Sequence, residues 1–215
     1  MRSSRIREAA VDGSARPGDP EVLPDDAGDL LLCAARAAVA ETLDRTTSLA
    51  GPAVDTGTLP AWAIEPGASF VTLKEDGRLR GCIGSLAAER PLLEDVRANA
   101  VGAATRDPRF APLAPDELAS VAIEVSVLSA PRALHVSSVR EGCAVLRPGV
   151  DGVIVEAGTW HRATLLPQMW QYLPDPAQFL EHLWLKAGLT PGDWQEDLTL
   201  QTYTVRAWSE APEAG

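Results

Sequence analysis

The sequence predicts an α+β fold, a mainly antiparallel sheet flanked by helices. Three observations carry that expectation. Asp76-Gly77 sits between two strand-like runs, and Asp-Gly supplies the positive φ angles of a two-residue hairpin turn. Val121, Ile123, Val125 and Val127 alternate with Glu124 and Ser126, the period of a half-buried strand. Helical stripes are interspersed with such strands, a mix that suggests a mainly antiparallel sheet covered by helices on one side.

The elements follow in order. Residues 1–26 are rich in Ser, Gly, Pro, Arg and Asp and read as a disordered tail, with the folded domain at 27–209 and a flexible end at 210–215. Asp26 or Asp29 opens a helix to about Asp44, with Leu32, Val39 and Leu43 on one face and Cys33 read as a small packed hydrophobe. Six Gly and Pro residues make 46–68 a long loop. Strands are expected at Ser69–Glu75 and Arg78–Leu86, then a helix from Pro91 to about Thr105 that buries Leu93, Val96, Ala100 and Ala103. After a Pro-rich loop comes the strand Ser120–Ser129. Short strands are predicted at Cys143–Arg147, Val153–Glu156 and Trp160–Leu166. Asp175-Pro176-Ala177-Gln178 has the N-cap pattern of a helix that buries Phe179, Leu180, Leu183, Trp184 and Ala187 and stops at Gly188. A single last strand is expected from Leu198 to Trp208.

Composition narrows the function classes. Nineteen Lys and Arg against thirty Asp and Glu give a net charge of −11 in 215 residues. Such a chain repels a phosphate backbone and an anionic membrane on average, so neither nucleic acid nor membrane is an expected partner. No run of about 18 apolar residues exists to span a bilayer. Arg2, Arg5 and Arg7 lead into no apolar stretch, so the start does not read as a secretory signal, and Glu8 and Asp12 count against an organellar one. Cys33, Cys82 and Cys143 are odd in number and lack CxxC spacing, which fits a reducing cytoplasm rather than a disulfide framework or zinc ribbon.

Candidate chemistry centres on Leu79-Arg80-Gly81-Cys82-Ile83-Gly84-Ser85. Gly81 and Gly84 bracket a cysteine inside a strand, where glycine marks a bulge or a close approach of another group. Arg80 shares a face with Cys82 if the strand is regular, and a guanidinium there favours the thiolate. The alternative is a small buried cysteine with glycines serving tight packing. Arg106-Asp107-Pro108-Arg109 reads either as a structural Arg–Asp bridge or as an anion site. Glu124 and Ser126 face one side of an apolar strand, either toward solvent or lining a cleft. His161 could act as general base for Cys82 if folding joins them, whereas His182 reads as solvated. The histidine spacings offer no metal site, and no P-loop, GxGxxG or GxSxG motif is present.

The hexapeptide 79–84 resembles the signature of the AMMECR domain family, known in bacteria and archaea as AmmeMemoRadiSam system protein A. Asp107-Pro108-Arg109-Phe110-x-Pro112-Leu113, Glu124-x-Ser126-x-Leu128, Leu165-Leu166-Pro167-Gln168 and Phe179-Leu180-x-x-Leu183-x-x-Lys186-Ala187-Gly188-Leu189 are similar to the family's later motifs, in order, over roughly residues 28–208. Met169-Trp170 and the 46–68 loop depart from the pattern. The resemblance implies a larger and a smaller subdomain with a cleft between them. It also implies a pathway shared with a Memo-like protein, related to extradiol dioxygenases, and a radical SAM protein. It supplies no reaction and no evident cofactor, and it leaves a homodimer open. On this reading Cys82 is a nucleophile or modified thiol, and Glu124 or His161 gives acid–base help. Arg80, Gly81, Gly84, Arg106, Arg109, Ser126 and Gln168 bind substrate. The alternative is a non-catalytic adaptor that docks a partner protein or peptide in the same cleft.

Overall fold

The computed structural model describes residues 23–47 and 59–210. The fold is α+β with antiparallel sheets and helices, as the periodicities predict. The described residues divide into two compact units: 131–205 form one, and 23–47, 59–130 and 206–210 form the other.

The first unit begins with helix α1 (Ala27–Thr47) and a one-turn helix α2 (Ala61–Ile64). Strands β1 (Pro66–Glu75) and β2 (Arg78–Gly84) form the expected hairpin. Asp76 and Gly77 both have positive φ, 49° and 73°, the turn geometry that Asp-Gly was expected to supply. A short strand β3 (Arg90–Pro91) leads into helix α3 (Leu92–Thr105), and strand β4 (Val121–Leu128) follows a 3-10 turn at Pro115–Ala119. With the terminal strand β9 (Val205–Ser209) these make a five-stranded sheet ordered β2-β1-β4-β9, with β3 pairing off β1. One face carries Val71, Leu73, Ile123, Val125 and Val127, packed with Leu31, Val39, Val96 and Ala100 of the helices into the core. By the two-residue alternation of strands, the other face carries Phe70, Thr72, Lys74, Cys82, Glu124 and Ser126.

The second unit is a four-stranded sheet ordered β5-β8-β6-β7, from β5 (Arg132–Leu134), β6 (Gly152–Ala157), β7 (His161–Leu165) and β8 (Thr199–Tyr203). Helices α4 (Val139–Val145) and α5 (Pro176–Lys186) belong to it. Its core holds Phe179, Leu183 and Trp184 with Val153, Val155 and Leu200. Asp175 caps α5 by accepting from the Ala177 N–H at 3.0 Å, and Gly188 ends it at a φ of 73°. Trp170, in the segment that departs from the family pattern, stacks on Phe179 at 3.8 Å and donates its indole N–H to the Asp151 carbonyl.

Four sequence expectations are corrected. Cys143–Arg147 is not a strand: the segment is mostly α4, because Ser138 caps the helix by accepting from the Glu141 N–H. Leu198–Trp208 is two strands, β8 and β9, each in a different sheet. Cys33 is exposed, on the outer side of α1, rather than packed. The tail expected over 1–26 takes in Leu23, which is buried and accepts from Arg206 at its carbonyl; residues 1–22, 48–58 and 211–215 lie outside those described.

Glu210, placed by sequence in a flexible end, is a clamp. Its carboxylate takes Nε of Arg36 at 2.6 Å and the Ile123 N–H at 2.8 Å, and its own N–H donates to the Ile123 carbonyl. Arg36 also donates to the carbonyls of Leu118 and Val121. Both partners are partly exposed, so the expected cost of Glu210→Ala is modest, about 1–2 kcal/mol. Amide exchange at Ile123 should rise with it. Unchanged protection there would mean that β9 holds without the clamp.

Candidate functional site

The hairpin register brings the candidate residues into rows across the polar face. Thr72 of β1 lies opposite Cys82 on one side and Glu124 on the other, so Cys82, Thr72 and Glu124 form one rung over three strands. Gly84, Phe70 and Ser126 form the next. Thr72 Oγ1 donates to Cys82 Sγ at 3.4 Å. Glu124 Oε2 accepts from Lys74 Nζ at 2.8 Å and from Ser209 Oγ at 3.1 Å. Cys82 is half-buried on this face rather than sealed in the core. Thr72 and Lys74 escaped the sequence reading because only the strand register places them in these rows.

The backbone of Cys82 faces the sheet edge. Its N–H donates to Asp107 Oδ2 at 2.8 Å, and its carbonyl accepts from Arg109 Nη2 at 3.3 Å. Thr72 and Cys82 are therefore a non-hydrogen-bonded pair, the arrangement in which cross-strand side chains come closest. The loop after α3 thus substitutes for a neighbouring strand on β2, using one acceptor and one donor side chain. Asp107 also accepts from Arg109 N, Nε and Nη2 at 3.1, 2.9 and 2.7 Å. The Arg109 guanidinium, aided by the Cys82 and Arg109 N–H groups, holds the Asp107 carboxyl well below the usual range despite the opposing effect of burial. Arg109 is raised in turn, chiefly by Asp107 and less by Cys82.

Arg80 lies elsewhere than the sequence suggests. The register shifts between Leu73, opposite Gly81, and Lys74, opposite Leu79, so Arg80 is the extra residue of a bulge. Its Nε and Nη2 each donate to Glu117 at 3.0 Å, and Nη1 donates to the Ala111 carbonyl at 2.9 Å. Arg80 foremost, and then the Ala114 N–H, lower the pKa of Glu117. The guanidinium in contact with Cys82 is that of Arg109.

Gly81 and Gly84 mark close approaches. A Cβ on Gly81 would lie 2.2 Å from the Ala103 carbonyl oxygen of α3, and one on Gly84 would meet the Phe70 ring at 2.3 Å. Arg106 turns back along α3 toward the Ala98 carbonyl, 3.4 Å away, and lines an open groove of about 440 Å³ with Glu41 and Arg97. It is not joined to Arg109. His161 and Gln168 belong to the second unit. His161 Nδ1 is 2.9 Å from the Ala187 carbonyl, which can only accept, so Nδ1 carries a proton there. Gln168 is exposed in a 3-10 turn.

One polar cluster has no counterpart in the sequence reading. Buried Asp95 accepts from Ser69 N–H and Oγ, Ser85 Oγ, Arg90 Nη2 and Asn99 Nδ2, at 2.6 to 3.0 Å. It ties the end of the signature hairpin to the first turns of α3. Among the described residues no group of three or more His, Cys, Asp and Glu could hold a metal, and no helix is long and apolar enough to cross a membrane.

Comparison with known proteins agrees with this architecture. The AMMECR1 family model matches residues 32–208. A protein of Methanothermobacter thermautotrophicus is 41% identical over 172 residues, covering 79% of this chain and 86% of its own. Protein MJ0810 of Methanocaldococcus jannaschii is 36% identical over 171 residues, covering 78% and 85%. The crystal structure of the uncharacterized protein PH0010 from Pyrococcus horikoshii aligns with a TM-score of 0.75 at 33% identity, covering 90% of this chain and 96% of that one. With its signature hexapeptide on β2 and the Asp107–Arg109 loop braced against it, the chain belongs to the AMMECR1 family.

Proposed function

We propose that this protein is a cytoplasmic component of an AmmeMemoRadiSam system. It works there with a Memo-like protein and a radical SAM protein in a modification or small-molecule pathway. Cys82 is its working group, as a nucleophile or as a thiol that becomes modified. One observation carries this reading: the Cys82 sulfur stands on the polar sheet face, with the Thr72 hydroxyl donating to it and the Arg109 guanidinium at its backbone. A cysteine serving only as packing would face the helices, as its neighbour Ile83 does. Glu124, two strands away on the same rung, is the acid–base candidate of this unit.

The test is alkylation of Cys82 in the native chain, with Cys33 and Cys143 replaced by Ser. Reaction without unfolding is the expected result. Cys82→Ser should leave the fold nearly intact and stop the output of the pathway. A thiol that reacts only after denaturation would defeat the proposal.

A second reading, a docking module without turnover, is favoured by a specific feature. Arg109, the arginine at Cys82, is already paired inside the unit with Asp107, and Arg80 with Glu117. A Cys82→Ser variant with unchanged pathway output would select this reading.

A further inference from the structure

Arg109 is held on one side and open on the other. Nε and Nη2 engage Asp107 and the Cys82 carbonyl, and Phe110 lies under the guanidinium with its ring centroid 5.5 Å from Cζ. Among the described residues Nη1 makes no hydrogen bond. The side chain is 54% exposed, while that of Asp107 behind it is 2% exposed. A buried carboxylate thus fixes a half-exposed guanidinium beside Cys82 and leaves Nη1 outside the network that holds it. Arg80 offers no such edge, since all three of its nitrogens donate. Arg106 points into a different groove.

We propose that the Cys82 site takes a carboxylate-bearing substrate, whose carboxylate docks on Nη1 of Arg109 and whose electrophilic centre then lies at the Cys82 sulfur. This rests on the thiol reading above and adds the substrate class. A singly charged group fits better than a phosphate dianion. Asp107 already neutralises most of the Arg109 charge, one Nη1 offers only two N–H donors, and Glu124 adds negative charge on the same face.

Paired alkylating reagents of equal size test the charge preference directly. In both, the thiolate sulfur attacks the methylene carbon, the S–C bond forms, and iodide leaves with the C–I electron pair. Iodoacetate carries a carboxylate where iodoacetamide carries a neutral amide. The full-length chain is treated with each at neutral pH, and modification of Cys82 and of exposed Cys33 is followed by peptide mass spectrometry. The iodoacetate-to-iodoacetamide rate ratio at Cys82 should exceed that at Cys33 by about fivefold, the size of a partly screened ion pair. Arg109→Gln should bring it down to the Cys33 value, and Arg109→Lys, which keeps the charge, should hold an intermediate one. Equal ratios at a reactive Cys82 would overturn the substrate class and leave the thiol reading standing. A raised ratio that both variants retain would overturn the assignment to Arg109. A Cys82 silent to both reagents would overturn the thiol reading and this inference together.

Discussion

Replacing Gly81 by Ala should destabilise the first unit by about 3 kcal/mol, the upper part of the range for forcing an extra group into a packed interface. The reason is steric rather than conformational. The added Cβ would stand 2.2 Å from the Ala103 carbonyl oxygen and 3.1 Å from its carbon. These are backbone atoms of a helix, so no rotamer change relieves the clash; β2 and α3 must part. The damage reaches the site, because α3 ends two residues before Asp107, whose carboxylate holds the Cys82 N–H. Moving β2 off α3 stretches that bond. In a chain of this size, 3 kcal/mol lowers the melting midpoint by roughly 6–12 °C. Gly77→Ala is the control. Gly77 has a φ of 73° and nothing within 4 Å of its Cβ position, so only the backbone preference is lost, at about 1 kcal/mol. Gly84→Ala should fall between the two, since the group in its way is the Phe70 ring, which can move. Equal losses at Gly81 and Gly77 would mean that the close approach to α3 is not what requires glycine.

Local chemistry in the sequence found what local chemistry decides. Asp76-Gly77 placed the hairpin, Asp175-Pro176 the start of α5, and the apolar stripe of 93–103 the helix that carries the site. Ser138-x-x-Glu141 is an equally local capping signal for α4, one that the strand expected at Cys143–Arg147 left out of account. The remainder depended on register. Arg80 and Cys82 share a face only in a regular strand, and the bulge at Arg80 turns its guanidinium to Glu117. Asp107 and Arg109 were legible as a pair, yet that the pair would stand in for a strand beside Cys82 is set by how α3 crosses β2. The rung Cys82–Thr72–Glu124 joins positions 10 and 52 residues apart, and Asp95 gathers donors from positions 69, 85, 90 and 99. Apart from Asp95 and Asn99, which are four apart on α3, no spacing rule links such residues; the antiparallel register and the docking of α3 do.

Asp107→Asn should lower stability by about 2–3 kcal/mol at neutral pH and lose most of that difference in acid. The carboxylate accepts from the Cys82 N–H and from three Arg109 nitrogens, and its side chain is 2% exposed. Asparagine offers one acceptor oxygen, and its NH2 would face donors with nothing to accept. Deleting one partner of a buried pair costs about 3–5 kcal/mol, and the figure is reduced here because Arg109 is 54% exposed and water screens it. The sign of the pH dependence follows from the direction of the shift. Asp107 is held below its ordinary value, so the unfolded chain takes up the proton first. Its stabilisation is complete above the unfolded carboxylate pKa of about 3.9 and is lost as the pH falls below that toward the folded value. The wild-type advantage should therefore be constant from about pH 6 to 5 and shrink below about pH 4. Hydrogen exchange at the Cys82 amide gives the local readout, because its acceptor is the group replaced. A wild-type-to-variant difference in exchange that persisted unchanged into acid would show that shape, not charge, holds the loop against β2. The edge beside Cys82 would then need another explanation for its order.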